Sequence, residues 1–541
     1  MTKLQEFKEA KAPLPADYAA WQVFGAGFEK LGKDGRPVTV PLREPADNEI
    51  LLRVDALGLC LSDIKIINQG SAHPRLRGRD LATDPTVLGH ECAVTVVAIG
   101  KQWREKFAIG ERYLVQADIY YKGIGYAFGY MIPGGMQQYT YLDERGLDGD
   151  EGCYLLPIQP ETGYSEAALA EPWACVEMSY CLEERMAPGD GDRLVVVEDV
   201  AAAEATASWK AENGHAKAIA RDLSNLGDEE ADDIIVPSPT PELVTALVPK
   251  LRKNGRMFLL GKPAIEGTAS IDVGRIHYDN LRILGGGADL KSIEAANQRH
   301  DLMPQGIGLF IGAGGPMGQM HVQRAIELPC GLRKVVVTDL DRSRLDHIEN
   351  RFGEMAKAKK VELITLATTE FDSPHAMNDH IMSLSPSGYT DVCVLAPVPA
   401  LLAQATRMAA DDGLVNLFAG IPIGNPAGLA LEDLCRGVKI IGSSGSRISD
   451  LKKVLDMVEA KELNTNMSVA AIGGLNVGRE GLQAVKEARF PGKTVIYTQI
   501  PDLPLITLED IPRQLPELAD YLGPGGAWTK TAEAALLEMK L

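Results

Sequence analysis

The pattern of hydrophobic and polar positions along the chain changes near residue 190. Before that point, short apolar runs such as 49–58 and 92–100 end in glycine, which is typical of strands. Aromatic and glycine-rich segments follow at 111–142, and residues 165–184 have a helical pattern apart from Pro172. After residue 190, apolar strands alternate with helical stretches, which predicts a parallel sheet covered by helices on both faces. The sequence therefore predicts an α/β protein with a small β-rich barrel and a doubly wound sheet.

A glycine-rich turn lies between an apolar strand at 306–311 and a predicted helix from Gln319. A second strand at 334–338 ends in Asp339, about 20 residues after the turn. Backbone N–H groups at such a turn can hold a pyrophosphate, and the acid can accept hydrogen bonds from the adenosine ribose. The predicted dinucleotide-binding residues are Gly312, Gly314, Gly315, Pro316, Met317, Gly318 and Asp339.

The glycine spacing departs from the strict dinucleotide-binding motif, because Met317 stands where that motif has glycine. The turn fits a looser pattern through Gly312, Gly315 and Gly318. Asp339 favours NAD, while Arg342 and Arg344 leave NADP possible. A tight turn without a ligand is the alternative.

The alternation of strands and helices occurs twice. Asp233 and Gly255 have the same spacing as Asp391 and Gly413, which favours duplication of a half-sheet. In the earlier copy the apolar run 193–198 leads into Asp199 without a glycine turn, so side chains would keep a phosphate from the backbone. We interpret 190–305 as an inserted, degenerate half that completes or extends a sheet, and a second nucleotide site there is the less favoured alternative.

Composition excludes several classes of function. The 541 residues, of which 45% are hydrophobic, can form several cores, and the net charge of −19 argues against nucleic acid and anionic membranes as partners. No apolar run approaches the roughly 20 residues of a membrane-spanning helix. The first residues have no hydrophobic signal core, and the eight cysteines form no CxxC pair. We therefore expect a cytoplasmic protein with reduced thiols.

Candidate metal ligands occur at Cys60, at His90 and Glu91, and at Glu171. A thiolate, an imidazole and carboxylates are the ligands that Zn²⁺ takes in a catalytic site with one open position. A single cysteine or histidine is more often structural, so the prediction depends on their combination with the dinucleotide turn. A Lewis-acid metal and a nicotinamide cofactor together indicate hydride transfer.

Several motifs resemble those of the zinc-dependent medium-chain dehydrogenase/reductase family. They are the runs 58–63, 89–91, 97–100, 170–172, 312–318, 335–339 and 440–443. Within that family the chain is similar to sorbitol dehydrogenases, and the runs 60–65 and 169–175 resemble the L-sorbose-1-phosphate reductase branch. The resemblance covers about 50–185 and 306–500 and implies a GroES-like catalytic domain and a Rossmann cofactor domain, with an extra Rossmann-like half inserted. The domains expected are 1–189, 190–305, 306–442 and the return to the catalytic domain at 443–541.

The resemblance also implies roles for individual residues. Cys60 and His90 would be zinc ligands, and Glu171 the third ligand, directly or through water. Glu91 would be a nearby carboxylate able to enter the coordination sphere, and Cys175 is a minor alternative ligand. Asp63 would hydrogen-bond the far nitrogen of His90, and Ser62 would pass the substrate proton outward.

Two departures from the family modify these expectations. Residues 92–153 contain no cysteine between their two ends, whereas many relatives hold a structural zinc there, so we expect one catalytic zinc and no structural zinc. Lys65 stands where relatives often end the proton relay with a histidine, which leaves the proton exit open.

Substrate choice is less readable from the sequence. Arg75, Arg77 and Arg79 on the loop between the ligands could bind a sugar phosphate, and a solvated basic loop or salt bridges to the acidic surface are at least as good an interpretation. The expected function is hydride transfer between NAD(P) and a secondary alcohol or ketone of a polyol, sugar or sugar phosphate, by a homo-oligomer. The alternatives are a zinc-free reductase of the same fold and a non-catalytic dinucleotide-binding protein.

Overall fold

The computed structural model describes residues 2–181, 185–189, 193–197, 217–219, 226–261, 266–328 and 331–541. The chain forms two compact units, one of Met1–Cys175 with Gly445–Leu541 and one of Val176–Ser444. The finer division that we predict at 190 and 306 stays a prediction. Among the described residues, none of the helices combines the length and apolar character needed to cross a membrane.

The strands are numbered in chain order. The first segment contains β1 Asp17–Ala20, β2 Gln22–Val23, β3 Val38–Pro41, β4 Glu49–Gly58, β5 Thr86–Val87, β6 Glu91–Ile99, β7 Arg112–Val115, β8 Tyr120–Tyr121, β9 Ile124–Gly125, β10 Tyr139–Asp143 and β11 Leu155–Pro157. The second unit contains β12 Leu194–Val197, β13 Lys217–Ile219, β14 Ala231–Val236, β15 Leu251–Leu260, β16 Thr268–Asp272, β17 Arg282–Gly287, β18 Ile307–Ile311, β19 Lys334–Asp339, β20 Glu362–Ala367, β21 Tyr389–Val394, β22 Ala409–Leu417, β23 Pro426–Ala430 and β24 Lys439–Ile441. The last segment contains β25 Val469–Gly474, β26 Lys493–Tyr497 and β27 Ile506–Thr507.

The described α-helices are numbered in the same way. They are α1 Lys3–Lys8, α2 Leu61–Gln69, α3 Glu144–Leu147, α4 Tyr164–Ala168, α5 Ala170–Met178, α6 Pro241–Leu247, α7 Val273–Tyr278, α8 Leu290–Ala296, α9 Pro316–Glu327, α10 Arg342–Lys359, α11 Pro374–Leu384, α12 Pro399–Met408, α13 Leu431–Cys435, α14 Ile448–Glu459, α15 Gly478–Lys486, α16 Ile511–Gln514 and α17 Lys530–Lys540.

The first unit is built on a mixed sheet with the strand order β11-β7-β6-β4-β26-β25-β27, and β10 also pairs with β4. Strands β4 and β6 are buried along most of their length because both are rich in Val, Ile, Leu and Ala. Their antiparallel register places Gly58 opposite Glu91, and β26 pairs with β4 at Gly58 and Val495. The end of β4 and the starts of β6 and β26, which are far apart in sequence, therefore lie next to one another in this sheet.

The C-terminal helix packs on the same unit through a buried carboxylate. Glu533 accepts hydrogen bonds from the backbone N–H groups of Tyr164 (2.6 Å) and Ser165 (2.7 Å) and from the hydroxyl of Tyr497 (2.9 Å). These contacts connect α17 to the start of α4, just before Glu171, and to the end of β26. The tail therefore packs against α4, which precedes the helix that carries Glu171, and against β26.

The second unit contains two parallel sheets. The later one has the strand order β20-β19-β18-β21-β22-β24, the doubly wound order of a Rossmann domain, which confirms the predicted fold class. The inserted half forms a sheet of its own among the described strands, β13-β12-β14-β15-β17, and does not extend the later sheet. Residues 199–204, where the sequence lacks a glycine turn, lie outside the described residues.

Candidate active site: a metal-ligating cluster and a glycine turn

One buried carboxylate joins the two loops that carry Cys60 and His90. Cys60 precedes α2, and Asp63 in the first turn of that helix accepts hydrogen bonds from the backbone N–H of Cys60 and from that of Gly89, both at 3.1 Å. Gly89 has a φ of +92°, a conformation that favours glycine, and His90 follows it. Asp63 therefore holds together the two backbone segments that carry the candidate ligands Cys60 and His90.

The donor atoms of Cys60, His90 and Glu91 all lie within 4.8 Å of one another. The set offers a thiolate, an imidazole and a carboxylate, which suits Zn²⁺. One carboxylate oxygen of Glu91, Oε2, is buried and has no hydrogen-bond partner among the described residues. A Cβ at Gly58 would lie 2.1 Å from that oxygen, so only glycine leaves room for it. The residues present therefore fit a bound metal ion.

Asp63 and Ser62 lie where the family resemblance places them, with one difference in geometry. The Oδ1 atom of Asp63 is 3.6 Å from Nδ1 of His90, longer than a hydrogen bond, so its main hydrogen bonds are those to the two loop backbones. The hydroxyl of Ser62 lies 3.0 Å from Sγ of Cys60. Ser62 is thus adjacent to the cluster, as a proton-transfer group must be.

The electrostatic environment of the cluster changes the protonation of its members. Burial opposes a charged imidazole, but the nearby side chains of Asp63 and Cys60 outweigh it and raise the pKa of His90 well above its ordinary value. Desolvation raises the pKa of the Glu171 carboxyl to about 7, against the opposing field of His90. A bound dication would reverse these shifts, because it favours the deprotonated form of every ligand.

Glu171 is buried in the first turn of α5 and interacts electrostatically with His90 and Glu91. It is not one of the three residues whose donor atoms lie within 4.8 Å, and neither is Cys175. Burial raises the pKa of the Cys175 thiol well above its ordinary value. The assignment of Glu171 as third ligand, with Cys175 as its alternative, stays a prediction.

Lys493 is a site residue that the sequence did not reveal. It lies at the start of β26 and forms an ion pair with Oε1 of Glu91, with both side chains almost completely buried. Burial alone would lower the pKa of Lys493, but the charge of Glu91 outweighs it and raises that pKa. The lysine is separated from Glu91 by about 400 positions, and its one sequence signal is a cation at the head of an apolar strand.

The glycine turn of the second unit connects a strand, β18, to a helix, α9, as the sequence predicts. Gly312 has a φ of +72°, and α9 begins at Pro316, three residues before the predicted start. A Cβ at Gly318 would lie 2.5 Å from Cα of Ala313, so the helix can approach the turn only with glycine there. At Gly315 a Cβ would have no neighbour within 4 Å, which leaves open space beside the turn.

Asp339 lies at the end of β19, next to the turn. Its Oδ2 accepts a hydrogen bond from the backbone N–H of Gly314 at 2.8 Å, and a Cβ at Gly314 would lie 2.7 Å from the carboxyl carbon. Arg342 forms ion pairs with Asp346 (2.8 Å) and Glu349 (2.5 Å) on its own helix. Asp339 thus contacts the backbone of the turn directly, and Arg342 is already paired with acids.

The three arginines of the loop between the ligands have different surroundings. Arg79 donates hydrogen bonds to Asp84 and to the backbone carbonyls of Asp84, Pro85 and Met131 (2.9 Å each), which fixes the loop. Arg75 pairs with Asp118 and lies over the ring of Tyr130, whose centre is 6.1 Å from that of His90. Arg77 is exposed and donates to the carbonyl of Gly125.

Arg75, Arg77 and Asp118 line a cavity of about 390 Å³. Arg75, which lines the cavity, lies 4.6 Å from the centre of the Tyr130 ring, and that centre is 6.1 Å from the centre of the His90 ring. The cavity therefore lies beside the metal-ligating cluster, within the same unit.

The sequence is similar to those of known dehydrogenases and reductases. Residues 46–147 match the family described as "Alcohol dehydrogenase GroES-like domain". The L-sorbose 1-phosphate reductase of Klebsiella pneumoniae is 25% identical over 512 residues, covering 93% of this chain and 95% of the relative. The mannitol-1-phosphate 5-dehydrogenase of Aliivibrio fischeri is 25% identical over 529 residues, covering 94% and 95%.

Among solved structures, the 2R,3R-butanediol dehydrogenase from Bacillus subtilis shares the fold, with a TM-score of 0.52 and 15% identity over 89% of this chain and 99% of that one. These similarities support an oxidoreductase of the alcohol dehydrogenase kind. They confirm the resemblance to zinc-type medium-chain dehydrogenases, and residues 46–147 carry an alcohol dehydrogenase GroES-like domain.

Proposed function

We propose that this protein is a zinc-dependent oxidoreductase that transfers a hydride between NAD(P) and a secondary alcohol or ketone of a polyol, sugar or sugar phosphate. The observation that carries the proposal is the convergence of the Cys60, His90 and Glu91 donor atoms within 4.8 Å. A zinc ion held there would supply Lewis-acid polarisation of the substrate oxygen. The two relatives that span the chain, both named for sugar-phosphate reactions, support this substrate class.

In this proposal Cys60, His90 and Glu171 hold the metal, and Glu91 is a fourth, variable group whose charge Lys493 balances. Asp63 positions both loops and the ring of His90. Ser62 relays the proton of the substrate hydroxyl: during oxidation it accepts that proton while its own hydroxyl proton leaves towards solvent, and during reduction the relay runs in reverse. Its hydroxyl, 3.0 Å from Sγ of Cys60, is close enough for that role.

The dinucleotide is held by the turn of Gly312, Gly314, Gly315, Pro316, Met317 and Gly318, with its pyrophosphate at the start of α9. Asp339 receives the ribose hydroxyls, and because it would repel a 2′-phosphate, NAD is the preferred cofactor. All seven described cysteines are free thiols, which suits a reducing compartment such as the cytoplasm.

Substrate recognition is proposed for the cavity of about 390 Å³ beside the cluster. A sugar phosphate needs donors and acceptors for its hydroxyl groups and a cation for its phosphate. The Arg75–Asp118 pair offers both kinds of hydroxyl partner, and the exposed Arg77 offers a cation. Phosphate recognition therefore falls mainly to Arg77, because the Arg79 guanidinium already has several protein partners.

The test is an assay of ketose phosphates, the matching free ketoses and polyols with NADH or NAD and with NADPH or NADP. We expect turnover with NAD(H), a preference for the phosphorylated substrate, and loss of activity on chelation that zinc restores. Turnover that survives complete removal of metal would instead support a zinc-free reductase. Dinucleotide binding without turnover of any of these substrates would support a non-catalytic protein.

The variant Arg77→Ala tests whether this side chain binds the phosphate group of the substrate. We expect KM for the phosphorylated substrate to rise about tenfold, the loss of one exposed charged contact of about 1.4 kcal/mol, with little change for the free sugar. Arg513→Ala removes an exposed arginine from α16 and is the matched control. An equal effect of Arg77→Ala on both substrates would refute its proposed contact with phosphate.

A further inference from the structure

The two sheets of the second unit repeat one another at a fixed distance along the chain. The elements from β14 to α7 have counterparts that begin 158 residues later (389 − 231 for β14 and β21). The matching pairs are β14 with β21, α6 with α12, β15 with β22, β16 with β23, and α7 with α13. Asn254 and Asp412, at equivalent positions, both have a positive φ. The repeat therefore extends to unusual backbone conformations.

The side-chain interactions repeat as well. Asp233 on β14 pairs with Arg185 (2.9 Å) and accepts a hydrogen bond from the backbone N–H of Gly189 (2.8 Å). Its counterpart Asp391 pairs with Arg299 and accepts from the backbone N–H of Met303 (3.2 Å). The inserted sheet is thus a second copy of the nucleotide-binding sheet, with a shorter first half.

The two copies contact each other through equivalent strands. Strands β16 and β23 form an antiparallel pair in which Thr268 is opposite Ala430, Ser270 opposite Gly428, and Asp272 opposite Pro426. Ser270 and Gly428 are counterparts under the same shift (428 − 270 = 158), so at the centre of the pair a position meets its own equivalent. On either side of that centre the pairs are exchanged by the shift: Thr268 is opposite Ala430, and their counterparts Pro426 and Asp272 are opposite each other. This is the relation of an isologous two-fold interface, formed within one chain.

The contact is buried on one side and continues beyond these strands. Ala269 and Ile271 of one strand and Ala427 and Leu429 of the other are buried in a single hydrophobic core that draws residues from both sheets. Next to it, the guanidinium of Arg282 on β17 donates to the carbonyl of Gly442 at 3.0 Å. A Cβ at Gly285 would lie 2.3 Å from the carbonyl oxygen of Leu434, so the backbones of the two copies are in close contact.

We propose that the inserted copy acts as a built-in partner, taking the place of a second subunit at this face of the nucleotide-binding sheet. A free β23 would expose an unpaired strand edge and apolar side chains, both of which promote association with another chain. In this protein β16 satisfies that edge. The face is therefore closed to other copies, and any homo-oligomer uses a different surface.

Cysteine crosslinking of the full chain tests the proposal. Ser270 and Gly428 are both exposed and directly opposed, so a short bis-maleimide can link cysteines at these positions. The variants are Ser270→Cys, Gly428→Cys and the double variant, each treated over a range of protein concentrations and analysed by denaturing gels and mass spectrometry of the linked peptides. Labelling with a mono-maleimide checks that each new thiol is reactive, and circular dichroism checks folding.

We expect the double variant to form a 270–428 link within one chain at every concentration, and each single variant to give no linked dimer through its new cysteine. A 428–428 link between chains in Gly428→Cys would overturn the proposal, because a second copy would then occupy this face. A 270–428 link found only between chains would do the same, since the copies would be exchanged between molecules. Reactive thiols without a 270–428 link would refute the pairing itself.

Discussion

The metal-ligating cluster and the glycine turn place their functional groups in different ways. In the cluster, side chains from three strand ends converge, and a buried ion pair between Glu91 and Lys493 lies against the donor atoms. In the turn, the proposed functional groups are backbone N–H donors. Glycine is needed at Gly318 and Gly314 because a Cβ at either position would collide with neighbouring atoms. The cluster thus depends on charge and ligand chemistry, and the turn depends on the absence of side chains.

In the proposed function, this difference explains why the later copy of the sheet binds a nucleotide and the inserted copy does not. The inserted copy retains the strands, the buried Asp233 and the contact face of its counterpart. Its sequence at 199–204 contains no glycine. Sheet geometry can therefore be preserved while a backbone-dependent site is lost. A cluster of side chains fails in another way, since removing one charge leaves its partner uncompensated.

Among the predicted changes in stability or affinity, the largest is the loss of stability expected for Lys493→Met. It leaves the buried Glu91 carboxylate without its cation, which costs about 3–5 kcal/mol of stability when no metal is bound. Chemical denaturation of the metal-free protein measures this. Lys452→Met, which breaks an exposed pair with Asp456, is the matched control and should change stability by less than about 0.5 kcal/mol.

The double variant Lys493→Met/Glu91→Gln provides a second check on the ion pair. Because the glutamine carries no charge, it should recover part of the stability lost in Lys493→Met. If the double variant is as unstable as the sum of the two single variants, Lys493 and Glu91 do not act as a pair.

Gly318→Val tests whether the glycine turn depends on the absence of a side chain. The new side chain would collide with the backbone of Ala313, so the helix start must move, and NAD affinity should fall at least about a hundredfold, or about 2.7 kcal/mol. Isothermal titration of NAD measures the loss, and metal content should stay unchanged. Gly353→Ala, on α10 where a Cβ has free space, should leave NAD affinity unaltered. Unchanged affinity in Gly318→Val would contradict the proposed pyrophosphate site.

Low pH should lower the stability of the second unit, which contains the glycine turn. The responsible group is His321 on α9. Burial lowers the pKa of this histidine to about 3, and Tyr180 hydrogen-bonds its Nδ1 at 2.7 Å. Its neutral form is favoured in the fold, so its contribution is complete above pH 6.5 and is lost as the pH falls from about 6.5 towards 3. In that range the free energy of unfolding decreases by up to about 1.4 kcal/mol for each pH unit.

Urea unfolding at several pH values measures this effect, with tryptophan fluorescence and NAD binding as probes. His321→Gln should show a flatter pH dependence between pH 6.5 and 4.5 than the parent protein. His375→Gln, which removes an exposed histidine on α11, is the control and should behave like the parent. The same slope in all three proteins would show that His321 does not control this transition.

The smallest effect expected is that of Asp339→Asn. Loss of the carboxylate weakens a charge-assisted contact with the ribose, and we expect NAD affinity to fall about tenfold while discrimination against NADP decreases. Dissociation constants for both cofactors measure this. A variant that binds NAD as before and still rejects NADP would exclude Asp339 as the ribose acceptor.

Local motifs predicted much of the site, because the elements that carry them are adjacent in the fold. Cys60, Asp63 and His90 lie on a helix start and a loop joined by hydrogen bonds, and the glycine turn is a single strand-to-helix connection. The parallel sheet of the later half also followed from alternating strands and helices, whereas its strand order is known from the structure.

Long-range partners could not be predicted in the same way. Lys493 reaches Glu91 only because β26 pairs with β4, a pairing that no local pattern encodes. The insertion could be recognised as a copy from the spacing of Asp233 and Gly255, but its separate sheet and two-fold contact depend on the pairing of β16 with β23. The distinct surroundings of Arg75, Arg77 and Arg79 depend on the folded loop in the same way.

Metal analysis of the purified full chain tests the central claim most directly, with Cys60→Ser and Cys153→Ser measured beside it. Cys153 is a half-buried thiol of the same unit that lies outside the cluster. We predict about one zinc per chain in the parent and in Cys153→Ser, and less than about a tenth of that in Cys60→Ser, since loss of the thiolate removes a direct ligand. A Cys60→Ser protein that keeps one zinc per chain and full dehydrogenase activity would contradict the account.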